Sequence, residues 1–318
     1  WEMLAKHHGV KVIQREVGFK GLAISAQAVE HGNAHTSEGQ TFTIEDVYGR
    51  QIELDHGTKI LFMGETSGGM VMPAAPIQTV NEGEVHLAVR EKSAIEPFII
   101  ALALKAELKE SGQTMLDLLE NVYGEIGYQM VFGTTVSKKL YNENAPVDEA
   151  AAEKEAGNAA KVKFDNYFMS VVFAVRDKAI TLDQARAIFA QDVPGFPWDG
   201  LTEILFAGDG MKLIFGDQLH VTVRKSGTDA VFKLYPYAAS AEVYQGVAAL
   251  FDKFSGDPGD LHRELIGTDR VIRAQDRLLD ELRAYNERIL SKTRVAYVPP
   301  ANYEHLDRMT PTEIAFVP

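Results

Sequence analysis

The chain has 318 residues, 46% of them hydrophobic, a net charge of −13 and no cysteine. That length holds two domains at the usual ~100–200 residues each, and the apolar content excludes gross disorder. The acidity argues against a nucleic-acid partner, the lack of an ~18-residue apolar run against a membrane span, and the missing cysteines against a disulfide framework, thiolate chemistry or a cysteine-based zinc site.

Trp1 to His8 reads as the middle of a helix closed by Gly9, as though the chain began inside a domain, and shows no signal-peptide pattern. Val10 to Val17 is predicted as a strand, 22–31 as a helix stopping at Gly32, and 33–58 as loop or a small hairpin with Tyr48-Gly49-Arg50 at its tip. Lys59 to Met63 has the composition of a short buried strand. It leads into Gly64-Glu65-Thr66-Ser67-Gly68-Gly69 at its C-terminal end, where open α/β sheets bind ligands. Ser93 and Glu96 form a capping-box pattern for a helix running past Leu108 to Gly112, and Thr114 with Asp117 starts another that ends near Gly124. Residues 1–127 therefore read as an α/β layer domain.

Residues 128–160 lack an apolar stripe and read as a solvated linker or surface helix. In 161–255, Tyr167 to Val175 looks like a strand and Thr181 with Gln184 caps a helix. Strands are predicted at Met211–Phe215, Leu219–Arg224 and Val231–Tyr237, then a helix from Ser240 to Phe254, an α+β module. Residues 256–290 read as an extra helix with Ile272, Leu279, Leu282 and Ile289 as its stripe, equally suited to covering its own domain or pairing with a second subunit. The proline-containing tail after Thr293 should be extended.

Two loops carry chemistry. In Arg224-Lys225-Ser226-Gly227-Thr228-Asp229, arginine offers a bidentate fork for phosphate, Ser226 and Thr228 add hydroxyls, and Gly227 permits a nest of backbone N–H groups. The bland alternative is an ordinary hairpin turn. In the other loop, Glu65 can accept two sugar hydroxyls, Ser67 exchanges a third hydrogen bond, and Gly68 and Gly69 let a ring approach the backbone. Its alternative is a plain strand-to-helix connection. His31 and His35 have the spacing of a helical metal pair, but Gly32 and Asn33 make a loop the better reading there. Lys138-Lys139 reads as solvated surface, and Phe196-Pro197-Trp198 as packing within its own domain.

Glu16-Val17-Gly18-Phe19-Lys20 before the first loop, and Asp209-Gly210-Met211-Lys212 before the second, complete an order that resembles the α-D-phosphohexomutases, the phosphoglucomutase and phosphomannomutase superfamily. The resemblance covers roughly residues 1–255. It implies an incomplete three-layer α/β domain three (1–127) and a TATA-binding-protein-like α+β domain four (161–255), joined by the 128–160 linker and followed by a helical extension and tail (256–318). It assigns Glu65, Ser67, Gly68 and Lys20 to the sugar and Arg224, Ser226, Gly227 and Thr228 to the non-reacting phosphate. Lys225 stands where the family usually has proline, Asp229 where it has glutamate, Ala230 where proline is frequent and Ser93-Ala94 where Asp-Gly is usual. Gly69 argues against the amino-sugar branch, which usually has histidine there.

The family's phosphoserine loop and magnesium-binding aspartate loop are not found in this sequence; in the family they lie in two N-terminal domains. The resemblance thus implies the substrate-binding C-terminal half of a cytoplasmic hexose phosphomutase, with no catalytic or metal-binding residue of its own. It would be inactive alone and would act with the missing domains, Mg2+ and a hexose 1,6-bisphosphate intermediate, with a homodimer open. The competing readings are a non-catalytic sugar-phosphate-binding or interaction module, and a structural protein whose loops match by chance.

Overall fold

The computed structural model describes residues 2–16, 19–64, 70–71, 77–78, 85–86, 95–142, 144–208, 210–226 and 229–293. In chain order they form α1 (Glu2–His7), α2 (Phe19–Ala34), β1 (Thr41–Glu45), β2 (Gln51–Asp55), β3 (Met63–Gly64), β4 (Met70–Val71), β5 (Ile77–Gln78), β6 (Val85–His86), α3 (Ile95–Glu110) and α4 (Met115–Ile126). Then come β7 (Phe132–Gly133), β8 (Val136–Lys139), α5 (Ala150–Arg176), α6 (Leu182–Asp192), β9 (Glu203–Phe206), β10 (Gly210–Phe215), β11 (Leu219–Lys225) and β12 (Val231–Ala238). The helices α7 (Ala241–Lys253), α8 (Asp260–Ile266), α9 (Thr268–Ile272) and α10 (Ala274–Thr293) follow. The fold is mixed α/β and falls into two compact units. One comprises 1–17, 46–50 and 108–285, the other 18–45, 51–107 and 286–318.

The smaller unit pairs α2 with the β1–β2 hairpin, whose Ile44 and Leu54 are buried. The hairpin stands where sequence placed it. The helix does not stop at Gly32, because that glycine is needed inside it: a Cβ there would run into the ring of Phe42. Asn33 is also helical; its amide donates to the Thr58 carbonyl at 2.9 Å and accepts from Gly57 N–H at 2.9 Å. His31 is therefore helical, and its ring stacks on that of His35 at 3.9 Å rather than lying in a loop. Residues 59–62 are not a strand; Leu61 and Phe62 are exposed, and only Met63–Gly64 pairs, antiparallel to Met70–Val71.

The larger unit is built on six antiparallel strands in the order β7-β12-β11-β10-β9, with β8 also on β12. The sequence from β9 to β12 is a meander of successive neighbours. Alternation sets its faces: Met211, Leu213, Phe215, Leu219, Val221, Val223, Phe232 and Leu234 are buried beneath the helices. Val10 to Glu16, read as a strand, forms none.

Tyr167–Val175 is helix, not strand. It belongs to the 27-residue α5, whose residues from Tyr167 to Ala174 are all buried. A continuous apolar run suits a buried helix as well as a buried strand, so periodicity cannot separate them. The preceding alanine-rich turns decide, since extending a helix costs far less than nucleating one. Two of the caps predicted from sequence are present, Thr114 with Asp117 on α4 and Thr181 with Gln184 on α6, whereas Ser93 of the third lies outside the described residues. Gly127, rather than Gly124, ends α4 in the left-handed region at φ 65°. The stripe after 256 is displaced: Val271, Ala274, Leu278, Tyr285 and Ile289 are buried, whereas Ile272 and Leu279 face solvent. Lys138 is not simply solvated, since its ammonium donates to the Phe254 carbonyl at 2.9 Å. Trp198 is buried and stacks on Phe189 at 4.6 Å, within its own unit. The tail after Thr293 lies outside the described residues.

Candidate functional site

Strands β11 and β12 lie side by side in the sheet, and the segment joining them carries Ser226 to Ala230. Ser226 N–H donates to the Val231 carbonyl at 2.8 Å, closing the neck of the loop, and Asp229 N–H reaches Ser226 Oγ at 3.4 Å. Beneath it runs α5. Lys161 Nζ donates to the carbonyl oxygens of Ser226 at 3.1 Å and of Asp229 at 2.7 Å. The loop is thus held from below by one ammonium spanning its two ends. Gly157, one turn earlier, allows this close approach: a Cβ there would sit 2.8 Å from the Leu140 carbonyl and 3.0 Å from Ala230 Cβ.

The charges around the loop are mostly basic. Lys225 points to the helical face, where its Nζ meets Asp165 Oδ2 at 2.7 Å. Burial pushes the Asp165 carboxyl up from the usual aspartate range, opposed by Lys225, Arg224 and Lys161. Burial, with the neighbouring charge of Lys225, pushes the Lys161 ammonium down. Lys154 lies 3.9 Å from the exposed Asp229 carboxylate. Arg224 projects from the opposite face of the strand and is half-buried; Ser226 is buried. A loop with a hydroxyl at its neck, next to an arginine and backed by two lysines, can take an anion, by charge and by hydrogen bonding.

Of the residues assigned from sequence, Arg224 and Ser226 occur together here. Gly227 and Thr228 lie outside the described residues, as do Glu65, Ser67 and Gly68. Lys20 belongs to α2, and its side chain too lies outside them. Lys161 and Asp165 were missed. Their four-residue spacing was a usable helical signal, but it fell between a segment read as linker (128–160) and one read as strand (Tyr167 to Val175).

A second polar cluster is buried among α5, α6 and α8. Ser170 Oγ lies 2.8 Å from His262 Nε2, and His262 Nδ1 lies 3.5 Å from Asp192 Oδ2. Although burial alone would raise it, the Asp192 carboxyl is held below its usual range by hydrogen bonding to His262 and by the Gly259 N–H. This order of residue types matches a nucleophilic triad. However, Ser170 is 2% and His262 0% exposed, so no substrate reaches the hydroxyl. The cluster ties three helices together instead. Among the described residues no group of three or more histidine, aspartate or glutamate side chains is placed to hold a metal ion, and no helix is long and apolar enough to cross a membrane.

No protein-family model matches the sequence, and no curated protein matches it.

Proposed function

We propose that this chain is the substrate-binding, C-terminal half of a phosphoglucomutase or phosphomannomutase, and that the loop after Arg224 grips the phosphate of a hexose monophosphate. The observation carrying this reading is the loop's construction. Arg224 and Ser226 stand at the end of a central strand, and Lys161 fastens both ends of the loop through their carbonyl groups.

In this reading Arg224 supplies a two-pronged charged contact to the phosphate oxygens, and Ser226, Gly227 and Thr228 complete the cradle. Glu65, Ser67, Gly68 and Lys20 hold the sugar. In this reading phosphoryl transfer, Mg2+ binding and the bisphosphate intermediate fall to the family's two N-terminal domains.

The test is calorimetric titration of the chain with glucose 1-phosphate and mannose 6-phosphate, with glucose as control. Both phosphates should bind and glucose should not. Arg224→Ala should weaken binding about tenfold to a hundredfold, from the ~1.5–3 kcal/mol of a hydrogen bond to a charged group. Equal binding by wild type and Arg224→Ala, or no binding of either phosphate, refutes the reading.

A further inference from the structure

We infer that His31 and His35 form a two-imidazole site for a late first-row divalent ion (Ni2+, Cu2+ or Zn2+) at the C-terminal turn of α2. The continuity of that helix carries it. Histidines at this spacing share a face only if the turn between them is helical. It is: α2 runs through Gly32 and Asn33 to Ala34, and His35 N–H closes onto the His31 carbonyl at 3.1 Å. The two rings lie face to face, 3.9 Å between centroids and 30° between planes. The same turn is fastened from its other sides. Phe42 presses against Gly32, the Asn33 amide bridges Thr58 and Gly57, and Thr36 Oγ1 donates to the Gly32 carbonyl at 2.7 Å. A chelating pair on a fixed turn loses little freedom when it closes on an ion.

The chemistry of the rings agrees. His35 Nδ1 lies 2.9 Å from the His31 carbonyl; a carbonyl only accepts, so the proton sits on Nδ1 and the Nε2 lone pair is left for a metal. Histidine ligands are oriented in this way, by giving their second ring N–H to a backbone carbonyl or a carboxylate. Burial and the adjoining His35 push the His31 imidazole down, which keeps it in the neutral, ligating form near neutral pH. Its Nδ1 is buried with no hydrogen-bond partner, so the protein's own hydrogen bonds do not account for a histidine here. Other histidines have acidic company: His7 lies 2.8 Å from Glu125 and His262 3.5 Å from Asp192. Among the described residues neither His31 nor His35 has a carboxylate at ion-pairing distance. His35 is exposed and His31 half-buried, so an ion can reach the pair from solvent. Imidazole nitrogen suits Ni2+, Cu2+ and Zn2+, whereas Mg2+ prefers oxygen. No third histidine, aspartate or glutamate joins the pair among the described residues, so water fills the other positions and the ion is exchangeable. The site holds whether or not the loop after Arg224 takes a phosphate.

The experiment titrates the full chain with NiCl2, ZnCl2 and MgCl2 by calorimetry near neutral pH, using wild type, His31→Gln, His35→Gln and a control, His7→Gln with His8→Gln, which removes the adjacent exposed histidines. Wild type and the control should each bind Ni2+ and Zn2+ saturably at this site and show no uptake of Mg2+. His31→Gln and His35→Gln should each weaken Ni2+ binding about tenfold or more, the loss of one arm of a chelate. Saturating Ni2+ should raise the melting temperature of wild type and leave that of His35→Gln where it was. The electron paramagnetic resonance spectrum of Cu2+ on the control chain should show two imidazole nitrogens, a count that requires neither site variant to fold. Wild type that takes up neither Ni2+ nor Zn2+, uptake that survives both site substitutions, uptake abolished in the control, or a Cu2+ spectrum with fewer than two imidazole nitrogens overturns the inference.

Discussion

Replacing Lys161 by methionine removes the ammonium under the 226–230 loop while keeping most of the buried stem. Two hydrogen bonds are lost, to the carbonyls of Ser226 and Asp229 at 3.1 and 2.7 Å. Each is charge-assisted and contributes ~1.5–3 kcal/mol. Against that stands the desolvation of the lysine, only 9% exposed and with its pKa pushed down by burial. Relief of that cost leaves a net local loss of about 2 kcal/mol. The readout is amide hydrogen exchange, because the loss is confined to the loop. A ~2 kcal/mol fall in opening free energy speeds exchange about 30-fold. Ser226, whose N–H closes the loop neck against Val231, should show that acceleration, whereas Leu213 in the middle of β10 should keep its wild-type rate. A change at Ser226 below about threefold, or equal acceleration at both amides, would refute the claim that Lys161 acts as the local fastener of this loop.

Two further outcomes follow from packing and charge. An apolar cavity of about 40 Å3 lies between the sheet and the helices, lined among others by Val221, Phe168 and Trp198; at ~24 cal/mol per Å3, filling it with Val221→Ile should add up to about 1 kcal/mol of stability, read as a raised midpoint in urea with unchanged slope. The start of α10 is tied to α5 by Arg277 with Asp177 at 2.6 Å and by Arg176 with Glu281 at 2.6 Å. Hydrogen bonding to Arg277 holds the Asp177 carboxyl low, and Glu281 is held low by Arg176 and Arg277 against its own desolvation. Depressed carboxyl values give stability that is present above the ordinary values of 3.8 and 4.5 and is lost as pH falls through the folded-state values. These groups are partly exposed, so the effect stays below about 1 kcal/mol. Wild type should exceed Arg277→Gln in stability at neutral pH and lose that lead in acid, as followed by urea midpoints across pH; a lead that persists in strong acid rules out the ion pairs as its source.

Local signals were legible where a residue's role was settled within a few positions of chain. Thr114 with Asp117 and Thr181 with Gln184 satisfy their own backbone donors, so the pattern alone located two helix starts. The meander from Met211 to Tyr237 was readable because one face of each strand is buried and the other is not. Reading failed where a distant partner decides. Gly32 looks like a terminator unless Phe42 is known to press against it, and the run from Tyr167 to Val175 looks extended unless its surroundings are known to be apolar on every side. The candidate site divides in the same way. Arg224 and Ser226 announce themselves within one motif. Lys161 reaches the loop from 65 residues away in sequence.

The borders of the large sheet bear on how this molecule behaves in a crowd. On one side the outermost strand, β9, has four residues; on the other, β12 is flanked by two short strands, of two and four residues, rather than by one long one. Such stubby margins expose few backbone donors and acceptors for a foreign strand to zip onto. The central strands β11 and β12 are therefore shielded from pairing with other chains.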